Sequence, residues 1–261
     1  MTIGTKEASM RIAVVGASGR IGREVVDVLK NQGHEVVGIA RSAGVDAYTG
    51  EGLAQALAEV EVVVDAVNAT TTETAAVTDF FRTIAQNVQR EAAAAGAQRI
   101  VLLSIIGIDS FTAGHYAGKL AQEKAYRQGP VPVRILRAAQ FHEFAEMMLD
   151  WTTRGDTASV PEYRTQLVAG STVAAHLAAS AVEESGAELV EIAGPLELKL
   201  AAAVAKLAAR RGNPARVQEI LDTDDPNREL QANGALLPGP AAILAGPTFD
   251  EWLDQHYPTQ Q

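Results

Sequence analysis

Apolar residues follow two alternating patterns through the first half of the chain. Short, almost continuous apolar runs are typical of strands buried on both faces of a parallel sheet, whereas apolar residues at every third or fourth position are typical of helices. The runs predict strands at residues 12–15, 36–40, 60–67, 100–104 and 131–136, with a short further strand at 45–48. The helical pattern predicts helices from residue 21 to the glycine at 33, and at 53–57, 73–95 and 114–127.

Strands that alternate with helices in this way form right-handed βαβ units and an open, doubly wound parallel sheet, the Rossmann fold. Beyond about residue 138 the alternation loosens. There we predict an irregular turn at 154–161, a strand at 188–192, and helices at 143–152, 172–184, 197–211 and 249–257. Because no linker-like stretch intervenes, we expect one compact unit: a flexible leader (1–9), a dinucleotide-binding core (10–145) and a smaller C-terminal substrate-binding lobe (146–261).

A glycine-rich segment joins the first predicted strand to the first predicted helix. Its sequence is Gly-Ala-Ser-Gly-Arg-Ile-Gly, with two residues between successive glycines. A strand–turn–helix of this kind offers unpaired backbone amides and the positive end of the helix dipole to a pyrophosphate. The residues expected to bind a dinucleotide here are Gly16, Ser18, Gly19, Arg20, Ile21 and Gly22.

The residue that follows the second predicted strand distinguishes NAD from NADP. An acidic residue at this point binds the ribose 2′-hydroxyl, whereas a basic residue accommodates a 2′-phosphate. The chain has Arg41 and Ser42 here, and no carboxylate before Asp46. The sequence therefore predicts NADP(H) as the cofactor.

Composition narrows the classes of function that the chain could have. Lys and Arg number 22 against 32 Asp and Glu, so the net charge of −10 disfavours a nucleic-acid surface. Cysteine is absent, which excludes disulfides and thiolate chemistry, and no His, Asp and Glu grouping has metal-ligand spacing, so we predict no metal site. No apolar run is long enough to span a membrane. We expect a cytoplasmic monomer or homodimer that acts on a small molecule.

The spacing of the glycines resembles that of the atypical short-chain dehydrogenase/reductases, and the chain resembles the NmrA-like branch of these proteins, including bacterial members. The runs that carry the resemblance are 41–46 (RSAGVD), 49–53 (TGEGL), 104–109 (SIIGID), 119–123 (KLAQE) and 135–143 (ILRAAQFHE). The resemblance covers most of the first 145 residues and fades beyond them. It implies NADP(H) binding, with members that reduce carbonyls, quinones or alkenes, members that sense the cofactor, and a few that act in natural-product pathways.

The resemblance also implies positions for further cofactor ligands. Ala66, Val67 and Asn68 are expected along the cofactor, and Gln140 and Phe141 near the nicotinamide. The threonines at 70–72 are either hydroxyl donors at the cofactor or an ordinary polar loop.

In the short-chain superfamily, a Tyr four residues before a Lys donates a proton to the substrate, and a Ser on the preceding strand helps to hold the reacting oxygen. The matching residues here are Lys119 and Ser104, but His115 stands four residues before the Lys and Tyr116 three before it. Both positions neighbour Lys119 on a helix. Three hypotheses follow: His115, with a pKa of about 6.5 in water, is the acid; Tyr116 is the acid; or no such group acts.

An aromatic and methionine-rich segment follows the last predicted strand of the core. It is either a substrate pocket or helix packing, and the pocket hypothesis names Phe141, His142, Met147 and Trp151. Three functions remain in view: an NADPH-dependent reductase of a small or medium apolar carbonyl, quinone or activated alkene; a non-catalytic NADP(H) sensor; and a biosynthetic enzyme for a redox-neutral or reduction-coupled rearrangement. A fold does not choose among them.

Overall fold

A computed structural model describes residues 9–71 and 73–258 of the chain, so most of the leader predicted at 1–9 lies outside the described residues. The strands are β1 (Arg11–Val15), β2 (Glu35–Ile39), β3 (Val62–Asp65), β4 (Arg99–Ile105), β5 (Val133–Ala138), β6 (Thr153–Arg154), β7 (Thr157–Pro161), β8 (Arg164–Thr165), β9 (Leu189–Ala193), β10 (Leu198–Lys199), β11 (Arg216–Ile220) and β12 (Ile243–Leu244).

The α-helices are α1 (Arg20–Asn31), α2 (Leu53–Ala56), α3 (Thr74–Ala95), α4 (Gly114–Arg127), α5 (Glu143–Thr152), α6 (Gly170–Val182), α7 (Leu200–Arg211), α8 (Arg228–Ala232) and α9 (Phe249–His256). Short 3-10 helices cover Arg41–Ala43 and Ile108–Ser110.

Seven parallel strands form the central sheet in the order β12-β9-β5-β4-β3-β1-β2. The chain runs outward from β1 to β2 and then returns across β1 to β3, so the strand order reverses at β1. The carboxyl ends of β1 and β3 therefore border a crevice, the place where open α/β sheets bind ligands. The predicted doubly wound Rossmann fold is confirmed.

Side chains alternate between two apolar layers along the central strands. On β1, Ile12 and Val14 face the layer formed with α1 and α6, while Ala13 and Val15 face the layer formed with α2, α3 and α4. All four are buried. This is the pattern that a sheet covered on both faces requires, and it explains why the strands read as continuous apolar runs.

A third apolar cluster lies beyond the carboxyl end of the sheet and joins α5, α7 and α9 to the 3-10 segment after β4. Two small sheets accompany it, one with the order β11-β7-β6 and one that pairs β10 with β8. Apart from Ile108 and Phe111, the buried members of this cluster come from residues 145–253.

The predicted boundary at residue 145 does not separate the two parts. α6 packs against α1, β9 pairs with β5, and β12 pairs with β9, so the chain returns from the lobe to complete the central sheet. Apolar periodicity identifies these elements but carries no information about which layer they join.

Two local predictions were wrong. No strand forms at 45–48; instead the Asp46 side chain accepts hydrogen bonds from the amides of Tyr48 and Thr49, which stabilises a turn. Residues 157–161, expected within an irregular turn, form β7, because β11 pairs with this segment from more than fifty residues further along the chain.

Candidate cofactor and catalytic site

The glycine turn joins β1 to α1 at the carboxyl edge of the sheet. Gly16 has φ +80°, and its amide donates to the carbonyl of Ile39, the last residue of β2, at 3.0 Å. A Cβ on Gly16 would lie 2.9 Å from Cα of Val67 and 3.1 Å from the carbonyl carbon of Ala66. The turn therefore has no room for a side chain, because it packs directly against the segment after β3 that was predicted to border the cofactor.

Gly22 allows α1 to begin against this turn. A Cβ on Gly22 would lie 2.1 Å from the carbonyl oxygen of Gly16, which no real side chain tolerates. Gly19 is the N-cap and caps the helix with no side chain. Since the first amides of a helix have no partner within it, those at the start of α1 point beyond the carboxyl end of β1, ready to bind an anion.

The side chains of the turn are less well placed than its backbone amides to bind an anion. Ser18 is exposed. The Arg20 guanidinium pairs with Glu143 of α5 at 3.1 Å, and Glu143 keeps one buried carboxylate oxygen without a partner among the described residues. Arg20 must leave this ion pair before its side chain can bind a phosphate, whereas the backbone amides need no rearrangement.

Arg41 is exposed at the end of β2 and lines a cavity of about 210 Å³. Ser42, exposed beside it, continues the 3-10 helix. The lining brings together several predicted residues that the chain separates: Arg41, Asn68, Thr70 and Thr71, along with Tyr48, Ala69, Ala76 and Phe80. Thr72 lies outside the described residues. The cavity is thus lined by a cation, an amide and hydroxyls, which are groups able to bind an anion.

Sequence reasoning missed the aromatic wall of this cavity. The rings of Tyr48 and Phe80 stack with centroids 5.8 Å apart and an interplanar angle of 22°, and the Tyr48 hydroxyl donates to Asp79 at 2.7 Å. Tyr48 precedes α3 by about 25 residues, so only the tertiary fold pairs it with Phe80. A flat aromatic surface beside a cation suits a base and a phosphate.

Lys119 is turned into the protein. Its ammonium donates to Oε1 of Gln122 at 2.5 Å and lies 4.8 Å above the ring centre of Phe81, and the residue is only 4% exposed. Gln122 in turn donates to the buried carboxylate of Asp65 at 2.8 Å. Burial lowers the pKa of Lys119 to about 8, although Asp65 and Glu123 oppose this shift. Its predicted role at the nicotinamide ribose requires the ammonium to leave Gln122.

His115 differs electrostatically from the histidine expected. Burial, and secondarily the charge of Lys119, lower its pKa to about 4, and its ring packs edge-on against Phe81 with centroids 5.4 Å apart. At neutral pH the imidazole is therefore neutral. The expectation of a donor that titrates near pH 6.5 is corrected, because that value holds in water and not for a buried imidazole.

Ser104 is 1% exposed and donates from its hydroxyl to Glu123 at 2.5 Å. Glu123 also binds the Arg137 guanidinium, and this pairing holds the pKa of Glu123 below its usual value despite burial. The hydroxyl is thus part of a buried network that ties β4 and β5 to α4. The structure does not bring Ser104 into an open site.

Tyr116 lies on the side of α4 that faces the C-terminal lobe. Its hydroxyl is hydrogen-bonded to that of Tyr163, and its ring packs edge-on against Phe111 with centroids 4.7 Å apart. Burial raises the pKa of Tyr116 to about 12, and hydrogen bonding to Tyr163 and then to Gln140 partly offsets this shift. Gln140 follows β5 at the same carboxyl edge that carries the glycine turn. The structure therefore brings Tyr116 and Gln140 together, with Tyr163 as a partner that sequence reasoning missed.

The residues of the predicted substrate pocket lie in three different surroundings. His142 is fully buried, its Nε2 atom contacts the Pro247 carbonyl at 3.1 Å, and its ring packs on Phe249 and Trp252, so its pocket role is corrected to core packing. Met147 and Trp151 are 40% and 56% exposed, on the solvent face of α5 instead of in a pocket. Phe141 is partly buried against the central core. The C-terminal segment at 247–256, distant in sequence, covers His142.

Residues 9–71 and 73–258 contain no group of three or more His, Asp or Glu side chains arranged to hold a metal. No helix in the same part of the chain is long and apolar enough to cross a bilayer.

Comparison with known proteins places this geometry among nucleotide-binding proteins. Residues 16–184 match a family model described as NAD(P)H-binding. The match begins at the first glycine of the turn and extends just past α6. A search of the curated proteins gives no match.

Solved structures agree in fold. The NADPH-dependent quinone oxidoreductase QOR2 of Escherichia coli, in complex with NADPH, has a TM-score of 0.69 and 17% identity over 94% of this chain and 99% of that chain. A UDP-N-acetylglucosamine 4-epimerase of Bacillus cereus has a TM-score of 0.67 and 19% identity over 95% of this chain and 96% of that chain. A short-chain dehydrogenase/reductase superfamily protein of Agrobacterium tumefaciens with bound NAD has a TM-score of 0.62 and 16% identity over 96% of this chain and 92% of that chain. At these identities the likeness concerns the fold.

Proposed function

The chain belongs to the NAD(P)H-binding family, and from this premise we propose that it is an NADP(H)-dependent reductase of a small or medium apolar carbonyl compound, quinone or activated alkene. Membership agrees with the resemblance to the NmrA-like atypical short-chain dehydrogenase/reductases. The observation that carries the proposal is the backbone cradle at the start of α1, where a Cβ on Gly16 or Gly22 would strike neighbouring backbone. Such close approach suits a pyrophosphate bound by backbone amides.

The cofactor's adenosine end is assigned to the cavity beside β2. Arg41 offers a cation for a 2′-phosphate, and the stacked Tyr48 and Phe80 offer an apolar face for a base. Arg41 alone carries this choice, because solved structures of the same fold hold either NADPH or NAD. We therefore propose NADP(H) over NAD(H).

When bound, the reduced cofactor supplies a hydride. Among the chain's own residues we assign the proton to Tyr116, because its pKa of about 12 keeps the phenol protonated at neutral pH. A phenol of this pKa still gives its proton readily to an alkoxide, which is a much stronger base. His115 is neutral and packs against Phe81, so we assign it a packing role and not the role of the acid.

One observation favours the alternative of a non-catalytic NADP(H) sensor. The Lys119 ammonium donates to Gln122 and lies over Phe81, so it is not presented to a ligand as the reaction of the short-chain superfamily requires. A protein that kept the cofactor site but lost the use of this lysine would bind without turning over.

The test is consumption of NADPH with a panel of neutral quinones, ketones and activated alkenes, alongside the Tyr116→Phe variant. The reductase proposal expects turnover with at least one acceptor, and a loss of about 10²-fold in kcat for the variant with NADPH affinity unchanged. Tight cofactor binding with no turnover on any acceptor would instead support the sensor.

A further inference from the structure

Asp65, the last residue of β3, carries a carboxyl group with no exposed surface. Its Oδ1 atom accepts a hydrogen bond from the amide of Val67 at 2.9 Å. Its Oδ2 atom accepts from Nε2 of Gln122 at 2.8 Å and from the hydroxyl of Tyr126 at 2.6 Å. Because the two nitrogen atoms can only donate here, we assign the ionised form to this carboxyl group.

The amide of Gln122 joins this carboxylate to Lys119. Its Oε1 atom accepts from the Lys119 ammonium at 2.5 Å, and because an ammonium can only donate, the NH₂ end of the amide faces Asp65. Gln122 has no exposed surface and Lys119 is 4% exposed, so both charges are shielded from water. A buried carboxylate requires a compensating cation. Burial raises the pKa of Asp65, and the charge of Lys119 is the first of the influences that oppose this shift.

The same carboxylate holds the backbone that supports the glycine turn. The amide of Ala66 still donates to the carbonyl of Val15 in the neighbouring strand, at 3.0 Å. The next amide, that of Val67, donates to the Asp65 side chain instead, so the pairing of β3 stops at this point. A Cβ on Gly16 would lie 2.9 Å from Cα of Val67 and 3.0 Å from its amide nitrogen. The glycine turn therefore rests on the amide that Asp65 holds.

We propose that Asp65 is a positioning residue of the cofactor site, with Lys119 as its counter-ion. Through the Val67 amide, Asp65 fixes the backbone under the glycine turn, and Lys119 stabilises the charge that does so. Lys119 then affects cofactor affinity through Asp65 and not by contact with the nicotinamide ribose. The inference rests on the proposed binding of NADP(H), and it gives the inward direction of this lysine a function.

A shortened ligand separates a lysine that supports the turn from a lysine that contacts the ribose. Adenosine 2′,5′-bisphosphate carries the 2′-phosphate and one phosphate for the glycine turn, but it has no nicotinamide ribose. A lysine that bound only this ribose would leave the affinity for the bisphosphate unchanged. A lysine that acts through Asp65 and the turn affects the affinities for the bisphosphate and for NADPH by the same factor.

Calorimetric titration of two charge variants with both ligands is the first test. Lys119→Met removes the ammonium from a side chain of similar length, and Asp65→Asn removes the carboxylate charge at constant shape. We expect each variant to bind NADPH and the bisphosphate about tenfold more weakly than wild type, because the support of the turn loses a charge-assisted hydrogen bond. Tyr126→Phe removes one donor and keeps both charges, so about a two- to threefold loss is expected for both ligands. This milder variant tests the same support if a charge variant does not fold.

The double variant Asp65→Asn/Lys119→Met tests whether the two residues act together. If Lys119 works through Asp65, removing the lysine has no further consequence once the carboxylate charge is gone. The double variant should then bind NADPH within about twofold of Asp65→Asn alone. Losses that multiply, to about 100-fold, would mean that Lys119 reaches the cofactor independently, and would overturn the inference.

Arg99→Met is the matched control for lost stability. Arg99 is a buried charged residue at the amino end of β4, on the edge of the sheet opposite to the glycine turn, and it donates to the carbonyl of Ala181 at 2.6 Å. Its loss should lower the midpoint of urea unfolding while both ligand affinities stay within about twofold of wild type. Weaker binding in this variant as well would mean that lost stability alone weakens binding, which would contradict a positioning role.

One result overturns the inference directly: a Lys119→Met variant that binds the bisphosphate as wild type does but NADPH more weakly, because this pattern places the lysine at the nicotinamide ribose. Equal affinities for both ligands in wild type, Asp65→Asn and Lys119→Met would overturn it as well. Wild type that bound neither ligand would contradict both the inference and the cofactor site. Failure of the reductase proposal looks different: the variants would show the shared loss of affinity, while wild type reduced no acceptor with NADPH.

Discussion

The glycine turn and helix α4 both carry residues that the sequence predicts to be functional. The turn has the geometry that was predicted, whereas the side chains on α4 do not. In the turn, Gly16 and Gly22 lie where a side chain would collide with backbone, and the amides at the start of α1 are free for a phosphate. On α4, Lys119 is turned inward to Gln122, and burial has shifted the pKa of His115 away from the neutral range.

The difference lies in what sets each property. A glycine requirement arises from the backbone of residues that are close in sequence or on adjacent strands, so a spacing of glycines after an apolar run predicts it well. The charge state and direction of a side chain depend on every group packed around it. For Lys119 these groups come from β3, α3 and α4 together.

The largest effect is expected from closing the turn with a methyl group. Gly22→Ala places a Cβ 2.1 Å from the Gly16 carbonyl oxygen, so either α1 or the turn must shift. We expect the free energy of unfolding to fall by about 3 kcal/mol and NADPH affinity to fall by more than about 100-fold. Urea unfolding and calorimetric titration measure the two effects.

Gly186→Ala is the matched control, because the three atoms nearest its added Cβ belong to the Arg134 guanidinium, at ordinary contact distances of 3.5, 3.5 and 3.7 Å. The control should change unfolding by less than about 0.5 kcal/mol. If Gly22→Ala binds NADPH as tightly as wild type, the turn is not the pyrophosphate site.

Much of the fold could likewise be predicted from the sequence, because most of its elements are determined by residues that are close along the chain. Helices α4 and α5 begin and end where their periodicity predicted, and the first five strands of the central sheet read as apolar runs. β7 was missed because its partner β11 lies far along the chain, and at 45–48 the side chain of Asp46 favours a turn over a strand. Pairing over long sequence distances leaves no mark on local periodicity.

The second largest effect is expected on the acid stability of the protein, and it comes from buried His142, for which the sequence left a pocket or packing role open. Burial lowers the pKa of His142 to about 4, so below pH 6.5 the unfolded chain takes up a proton that the folded chain does not. Its contribution to stability is therefore present above pH 6.5 and lost as the pH falls towards 4, by about 1.4 kcal/mol for each pH unit.

His142→Phe keeps a ring against Trp252 and Phe249 but cannot titrate. Urea unfolding of both proteins between pH 7 and pH 4.5 should give a shallower loss of stability for the variant, whatever its absolute stability, while His115 retains its own similar contribution. Parallel curves for variant and wild type would mean that His142 is not buried as neutral imidazole.

The smallest effect is expected at the position that the family resemblance made most prominent. His115→Phe keeps an aromatic ring against Phe81 and removes an imidazole that is neutral at pH 7. We expect kcat with NADPH and a neutral quinone to change by less than about threefold, against about 100-fold for Tyr116→Phe. A loss of turnover in His115→Phe alone, with cofactor affinity intact, would restore the histidine as the acid.

For the site, the sequence predicted which residues share a cavity better than it predicted the hydrogen-bond partners of the other candidate residues. Arg41, Asn68 and Thr70 do meet at one cavity, as strand ends of a parallel sheet must. Tyr163 and Thr165 gave no signal, because they are recognised only by their hydrogen bonds with Tyr116 and Gln140, which lie on other segments of the chain. A buried polar atom without a partner among the described residues, such as one carboxylate oxygen of Glu143, can be recognised only once burial is known.

Calorimetric titration of wild type and Arg41→Ala with NADPH and NADH tests the central claim most directly. The account predicts that wild type binds NADPH at least about tenfold more tightly than NADH, and that Arg41→Ala loses this preference while its affinity for NADH is unchanged, since only the 2′-phosphate meets the guanidinium. Well-folded wild type that gives no heat with either cofactor would contradict the account.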